Sequence, residues 1–335
     1  MQARRRPHRH AAFSAAFIAV HGRQLRAGQV RGAGFGRSGP RLARPRLQGG
    51  LPVLSPAAPP AVKSYNLEAF VLRMRPLGEA DRIVTLFSRE RGKGHAVAKG
   101  VRKPHSKFGA RLDFFSRVQL SLHTGRSLDV ITAAQTVTSS WESVIDPERF
   151  GAASYVGEIV DALCEPDLAV EDLYDTVCQF QQGLCDKQAD PELLIAAFDL
   201  RLLQALGLTP ELDACARCGT GLGNRPLAGG RAVLSAHAGG LLCRTCSLQL
   251  TESERYADER SGVFSVKAAE FKALRALREA ILGDAASLTS AAAGCSASSL
   301  HRATRPFIEY QLGRRSKSLT VAGNQQHALR APKAG

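Results

Sequence analysis

The chain has 335 residues with 45 Lys and Arg against 30 Asp and Glu, a formal charge of +15, 44% hydrophobic residues and eight cysteines. Such a composition builds a globular protein with a sizeable core and excludes a wholly disordered chain. No run approaches the roughly 18 apolar residues that a membrane helix needs, and the cysteines are too sparse for a disulfide scaffold, which points to a reducing, cytoplasmic compartment.

The charge is unevenly placed. Residues 1–63 hold eleven Arg, Lys63 and no acid, so +12 of the +15 lies there and the rest of the chain is nearly balanced. Residues 1–62 are rich in Arg, Ala, Gly and Pro and carry no sustained periodicity, which predicts a disordered basic extension. Arg4, Arg5, Arg6 and Arg9 ahead of apolar residues 11–20 follow the order of a secretory signal, and the acid-free Arg-rich composition that of a transit peptide. A start codon assigned too far upstream gives the same texture, and the favoured start is near Val62, where patterned sequence begins.

Residues 63–142 form the first folded unit. Strand-like runs occupy 65–75, 81–89, 95–101, 113–123 and 127–137, separated by turn residues such as Pro76, Gly78, Gly92, Gly94 and Gly125. Val118, Leu120 and Leu122 alternate with Gln119, Ser121 and His123, the period of a sheet with one buried face. Five short strands without a crossover helix predict a five-stranded antiparallel barrel of the OB type, with an open meander as the alternative. Between the third and fourth runs, residues 99–111 carry Lys99, Arg102, Lys103, Lys107 and Arg111 and no acid, with Phe108 among them. Cations attract phosphates and an aromatic face can stack on a base, so these six residues are the nucleic-acid candidates. The competing reading is a solvated loop with Phe108 in the core.

Residues 143–320 form a second, helical unit, making the chain α+β overall. The clearest helix has Asp190 as cap, Pro191 at the first position, a stripe of Ile195, Phe198, Leu202 and Leu206, and Gly207 past its end. Others are predicted over 148–164, 169–185, 266–282 and 299–313, with Pro306 as a kink or late start. Arg314, Arg315 and Lys317 are expected to fray, and residues 321–335 to be a disordered tail. Cys164, Cys178, Cys185 and Cys295 are read as small buried hydrophobes.

Inserted in the helical unit, over 211–250, is a predicted zinc finger. Cys215 and Cys218 are followed after 24 residues by Cys243 and Cys246. Two CxxC pairs offer four thiolates to a tetrahedral ion, which suits structural Zn²⁺ and leaves no open position for catalysis. Redox dithiols or a metal-free relic are the alternatives; His237 could compete as a ligand, with a surface histidine as the favoured reading. No phosphate-binding GxxxxGK[ST], HExxH or GxSxG motif occurs, and the deaminase pairing of HxE with PCxxC is missing, so the chain reads as a binding protein and not an enzyme.

The run Gly78, Glu79, Ala80, Asp81, Arg82, Ile83, Val84, Thr85, Leu86, Phe87, then Gly92, Lys93, Gly94 and Lys99, Gly100, Val101, Arg102, Lys103, Ser106, Lys107, Phe108, resembles the bacterial RecO family. So do the two CxxC knuckles with Gly239 and Gly240 before the second, and the final Gly313, Arg314, Arg315, Ser316, Lys317, Ser318. The resemblance covers about residues 63–319. It implies an OB-fold and a helical domain with a zinc finger, acting in DNA repair and recombination without nucleotide hydrolysis, in the cytoplasm and on the nucleoid. It also implies binding to single- and double-stranded DNA, strand annealing, and work with RecR and the single-strand-binding protein SSB to load RecA. Arg82, Arg89 and Lys93 are secondary DNA candidates on the same basis. A zinc-ribbon nucleic-acid-binding module, such as a transcription regulator, is the alternative function; a metal-dependent nucleic-acid enzyme is a third.

Overall fold

A computed structural model describes residues 64–103, 105–106, 108–140, 142, 145–221, 230–250 and 262–318. The basic extension over 1–62, the start near Val62, Lys107 and the tail over 321–335 lie outside these residues.

The first five strands are β1 (Ser64–Leu77), β2 (Asp81–Ser88), β3 (Gly92–Ala98), β4 (Arg117–His123) and β5 (Asp129–Thr138). They run in the order β1-β2-β3-β5-β4 around a closed barrel. The 14-residue β1 serves both ends, pairing with β4 through Ser64 to Phe70 and with β2 through Ala69 to Leu77. Closure comes from a short parallel pairing, Ala96 with Asp129 and Val97 with Val130. Alternation places Leu67, Ala69, Val71, Val84, Leu86, Ala96, Ala98, Val118, Leu120, Leu122 and Ile131 inside. A register shift between Val71 and Arg73 makes Leu72 an extra residue, so Leu72 and Arg73 both turn outward and Met74 returns to the barrel side. The fourth strand begins at Arg117 and not at 113, because Phe115 adopts φ 58° and the Ser116 N–H closes a turn on the Asp113 carbonyl at 3.2 Å.

The outer face of the barrel is apolar where it meets the helices α1 (Pro147–Leu163) and α2 (Glu171–Cys185). Phe70 and Phe87 pack on Tyr174 with ring centres 5.6 and 6.1 Å apart, and Phe115 meets Phe180 edge-on at 5.9 Å. Polar ties ring this seam. Gln181 Nε2 donates to the Phe115 carbonyl at 3.1 Å and to Ser140 Oγ at 2.8 Å, and the Tyr174 hydroxyl donates to Glu68 at 3.0 Å. Gly92, at φ 64°, is required at the start of β3, since a Cβ there would sit 1.9 Å from the Leu168 carbonyl oxygen.

Helix α1 is capped by Asp146, which accepts from the Glu148 and Arg149 N–H groups, and Pro147 occupies the first turn. The third helix, α3 (Pro191–Ala205), has the predicted Asp190 cap and is buried along most of its length. Strands β6 (Arg231–Ser235) and β7 (Gly240–Leu242), the short α4 (Arg244–Leu248) and β8 (Val263–Lys267) then build a small lobe, its sheet ordered β7-β6-β8. Helices α5 (Ala268–Glu279), α6 (Ala285–Ala292) and α7 (Ala297–Leu312) complete the described chain, and α7 continues through Pro306. The lobe's sheet and α6 have no counterpart in the sequence expectations. Among the described residues no helix is long and apolar enough to cross a membrane.

Two expectations are corrected here. Of the four single cysteines, Cys164 is buried, Cys178 and Cys295 are half-buried and Cys185 is exposed. The segment after α7 is not frayed: Arg314 Nη1 donates to Glu158 at 2.6 Å, and the same carboxylate accepts from Ser316 Oγ, Ser318 Oγ and the Lys317 and Ser318 N–H groups. Burial alone would raise the Glu158 pKa, yet the Ser318 N–H, Arg314, the Lys317 N–H and the Ser318 hydroxyl outweigh it and pull it from 4.5 to about 2. A depressed carboxylate stabilises the fold above its unfolded pKa and gives that up as pH falls through about 4.5 to 2. Glu158→Gln is therefore expected to cost about 2 kcal/mol at pH 7 and to lessen the acid loss across that window, read from denaturant melts between pH 7 and 3.

Candidate metal centre and nucleic-acid loop

The four paired cysteines meet in space. Their sulfurs all lie within 4.8 Å of one another, and Cys218 Sγ stands 3.8 Å from Cys243 Sγ. Four sulfurs held about 2.3 Å from one tetrahedral zinc are separated by about 3.8 Å, whereas a disulfide needs about 2.05 Å. The donor set and spacing thus fit a tetrathiolate metal ion.

Backbone bonds bring the knuckles together. In the first, the Gly219 N–H donates to the Cys215 carbonyl at 2.8 Å and the Cys215 N–H to the Thr220 carbonyl at 2.9 Å. In the second, Cys243 caps α4 and its sulfur accepts from the Cys246 N–H at 3.4 Å. The two are stitched by Ala216 N–H to the Leu241 carbonyl and Leu241 N–H to the Glu211 carbonyl, both 2.8 Å. Gly240 makes that approach possible, because a Cβ there would lie 2.2 Å from the Glu211 carbonyl oxygen. Burial would raise the Cys215 thiol, but backbone N–H donors prevail and lower it; the Thr220 hydroxyl leads in pulling Cys218 down to about 6. Burial first, then the neighbouring sulfurs, push Cys246 up to about 12. His237 is no part of this cluster and stands edge-on to the Tyr310 ring at 5.9 Å.

The basic loop leaves the barrel after β3 and returns through a short 3-10 turn at Gly109–Leu112. Lys99, Arg102, Lys103 and Arg111 are exposed, while Lys107 lies outside the described residues. Phe108 is corrected: it is 1% exposed and packs in the barrel core with Leu112, so its ring has no free face for a base. Two secondary candidates are also engaged elsewhere. Lys93 is 8% exposed, its Nζ donating to the Asp161 carbonyl at 2.5 Å and standing 3.7 Å from the Asp161 carboxylate. Arg89 pairs with Asp175, lies 3.9 Å from Glu171 and covers the Tyr174 ring. Both are clamps between barrel and helices. Arg82 is half-buried beside Met74 Sδ at 3.8 Å.

The sequence reading missed Arg73 and Arg75, both exposed on the β1–β2 hairpin from which the loop is held. Strict alternation from Val71 would turn Arg73 into the barrel; the extra Leu72 reverses it, and no local sequence signal marks such a bulge.

A five-stranded barrel of OB type, followed by helices with an inserted four-cysteine lobe, defines the class of this protein. The family model for Recombination protein O N terminal matches residues 62–140, and that for Recombination protein O C terminal matches residues 145–320. The DNA repair protein RecO of a Nocardioides species is 40% identical over 185 residues, 54% of this chain and 74% of that protein. Proteins of the same name from Symbiobacterium thermophilum and Thermobifida fusca are each 37% identical, over 183 and 185 residues. These matches cover 55% and 54% of this chain and 71% and 73% of the relatives. The chain belongs to the RecO family.

Proposed function

We propose that this protein is a DNA repair factor that binds DNA and anneals complementary strands, working with RecR and SSB to load RecA on single-stranded DNA. The observation that carries the reading is an exposed set of cations on the barrel, Lys99, Arg102, Lys103 and Arg111, in a chain that matches the RecO family in both halves. Lys107 completes the set from the sequence. Two DNA strands repel as polyanions; a cationic surface reduces that repulsion, and contacts to phosphates leave the bases free to pair. The chemistry needs no proton transfer and no nucleotide hydrolysis, so the protein acts as a binding factor and not an enzyme, on the nucleoid in the cytoplasm. Cys215, Cys218, Cys243 and Cys246 hold a structural zinc, and the barrel over 63–142 and helical unit over 143–320 act as separate functional domains.

Annealing of complementary oligonucleotides coated with SSB tests this reading, and failure to accelerate it would refute the proposal. For single strands the slope of log affinity against log salt is about −0.7 per neutralised phosphate. Lys99→Ala combined with Lys103→Ala should therefore flatten it by about 1.4. An unchanged slope would return the loop to a solvated surface.

A further inference from the structure

The basic loop is held at its base by an acid. Asp81, the first residue of β2, accepts the Gly100 N–H on Oδ1 at 2.7 Å. Beside it the Arg102 N–H donates to the Ala80 carbonyl at 3.0 Å, and Arg102 Nη1 reaches the Gly78 carbonyl at 3.3 Å. The Lys103 N–H returns to the Gly100 carbonyl at 3.1 Å and the Ser106 N–H to the Lys103 carbonyl at 3.0 Å, with Gly100 at φ 67°. The loop thus starts as a tight turn pinned to the tip of the hairpin that carries Arg73 and Arg75.

A carboxylate is out of place at a surface meant for phosphates, because it repels them. What it does for the loop accounts for it. We propose that Asp81 is a positioning residue for DNA binding: by holding Gly100 it keeps residues 99–103 in the turn that displays Lys99, Arg102 and Lys103. The proposal rests on the loop being a DNA contact. Without the Asp81 tie the turn is populated only part of the time, and apparent affinity falls by that fraction.

Two variants separate charge from position. Asp81→Asn and Asp81→Ala remove the same negative charge, but only Asn keeps an oxygen for the Gly100 N–H. Electrostatics alone makes both bind DNA at least as tightly as the parent protein. Positioning makes Asp81→Ala about fivefold weaker than Asp81→Asn, with the salt slope of both unchanged because no phosphate contact is lost. The measurement is fluorescence anisotropy of a labelled single-stranded oligonucleotide with the full chain, at several salt concentrations, so that residues 1–62 contribute equally throughout. Equal affinities of the two variants overturn the proposal.

Should Asp81→Ala not fold, Gly100→Ala serves, since it changes no charge, meets only Lys103 Cδ at 3.7 Å and is strained by the positive φ. The same weakening at constant slope supports positioning, and parent-like affinity overturns it. The two failures are distinct: an unchanged slope in the Lys99→Ala, Lys103→Ala variant removes the DNA loop and Asp81's role together, whereas a flattened slope with equal Asp81 variants removes Asp81's role alone.

Discussion

Cys243→Ser with Cys246→Ser is expected to abolish binding of one metal ion per chain and to lower the melting temperature by on the order of 10 °C. Metal affinity at a four-thiolate centre is largely folding energy, because the unfolded chain has no such site. The consequence extends past the lobe, since Leu212, Ala232, Leu234 and Leu241 belong to the same hydrophobic core as α3, α5 and α7. Loosening the lobe uncovers that core, and a loss of roughly 3–4 kcal/mol corresponds to such a shift in a chain of this size. Metal analysis beside thermal melts checks it, and full metal with an unmoved melting point would overturn it.

The second large effect concerns Asp199, fully buried on α3. Its oxygens accept from Tyr155 Oη at 2.8 Å and Thr304 Oγ1 at 2.6 Å, joining α1, α3 and α7. Burial dominates: it raises the carboxyl from 3.8 to about 7 against the opposing pull of the two hydroxyls, with the Glu309 charge adding to it. Tyr155 is itself raised by burial and by Asp199, while His301, edge-on to Tyr155, is held down at about 4 by burial and stays neutral. With the folded pKa above the unfolded one, the native state keeps a proton that the unfolded chain has released. This group's contribution therefore declines as pH rises from about 4 to about 7 and is level above that. Three pKa units correspond to about 4 kcal/mol. Asp199→Asn, which cannot ionise, is expected to be more stable than the parent at pH 8 by on the order of 2–4 kcal/mol. The two should converge near pH 4, where the parent's carboxyl is protonated. Denaturant melts from pH 4 to 8 check this, and parallel curves for parent and variant would refute it.

The sequence was most informative where a pattern is local. Period-2 alternation at Val118, Leu120 and Leu122, the Asp190 and Pro191 pair at a helix start and the CxxC spacings each express a physical requirement within a few residues, and each recurs in the structure. The OB-type barrel followed by helices was legible for the same reason. What escaped depends on distant partners. The Glu158 clamp joins α1 to residues 314–318, the Asp81 tie spans two strands, and the outward turn of Arg73 follows from a bulge at Leu72. For Phe108 the sequence left two readings open, a stacking face or a place in the core, and the structure decides for the core because the ring fills the space beside Leu112. The short strands of the metal lobe lie among glycines and are too brief to show a period.

The aromatic seam between barrel and helices has a consequence for how the chain is made. Phe70, Phe87 and Phe115 lie on the barrel's outer face and are fully covered only once Tyr174 and Phe180 of α2 arrive. A ribosome adds about 5–20 residues per second, so the stretch from Thr138 to Cys185 takes roughly 2–10 s to emerge. During those seconds a nascent barrel carries three phenylalanine rings that α2 has not yet covered. Pausing within that stretch prolongs the exposure and favours aggregation, whereas rapid translation through α2 shortens it. The contact that joins the finished halves is, for that interval, an adhesive face on the half-made chain.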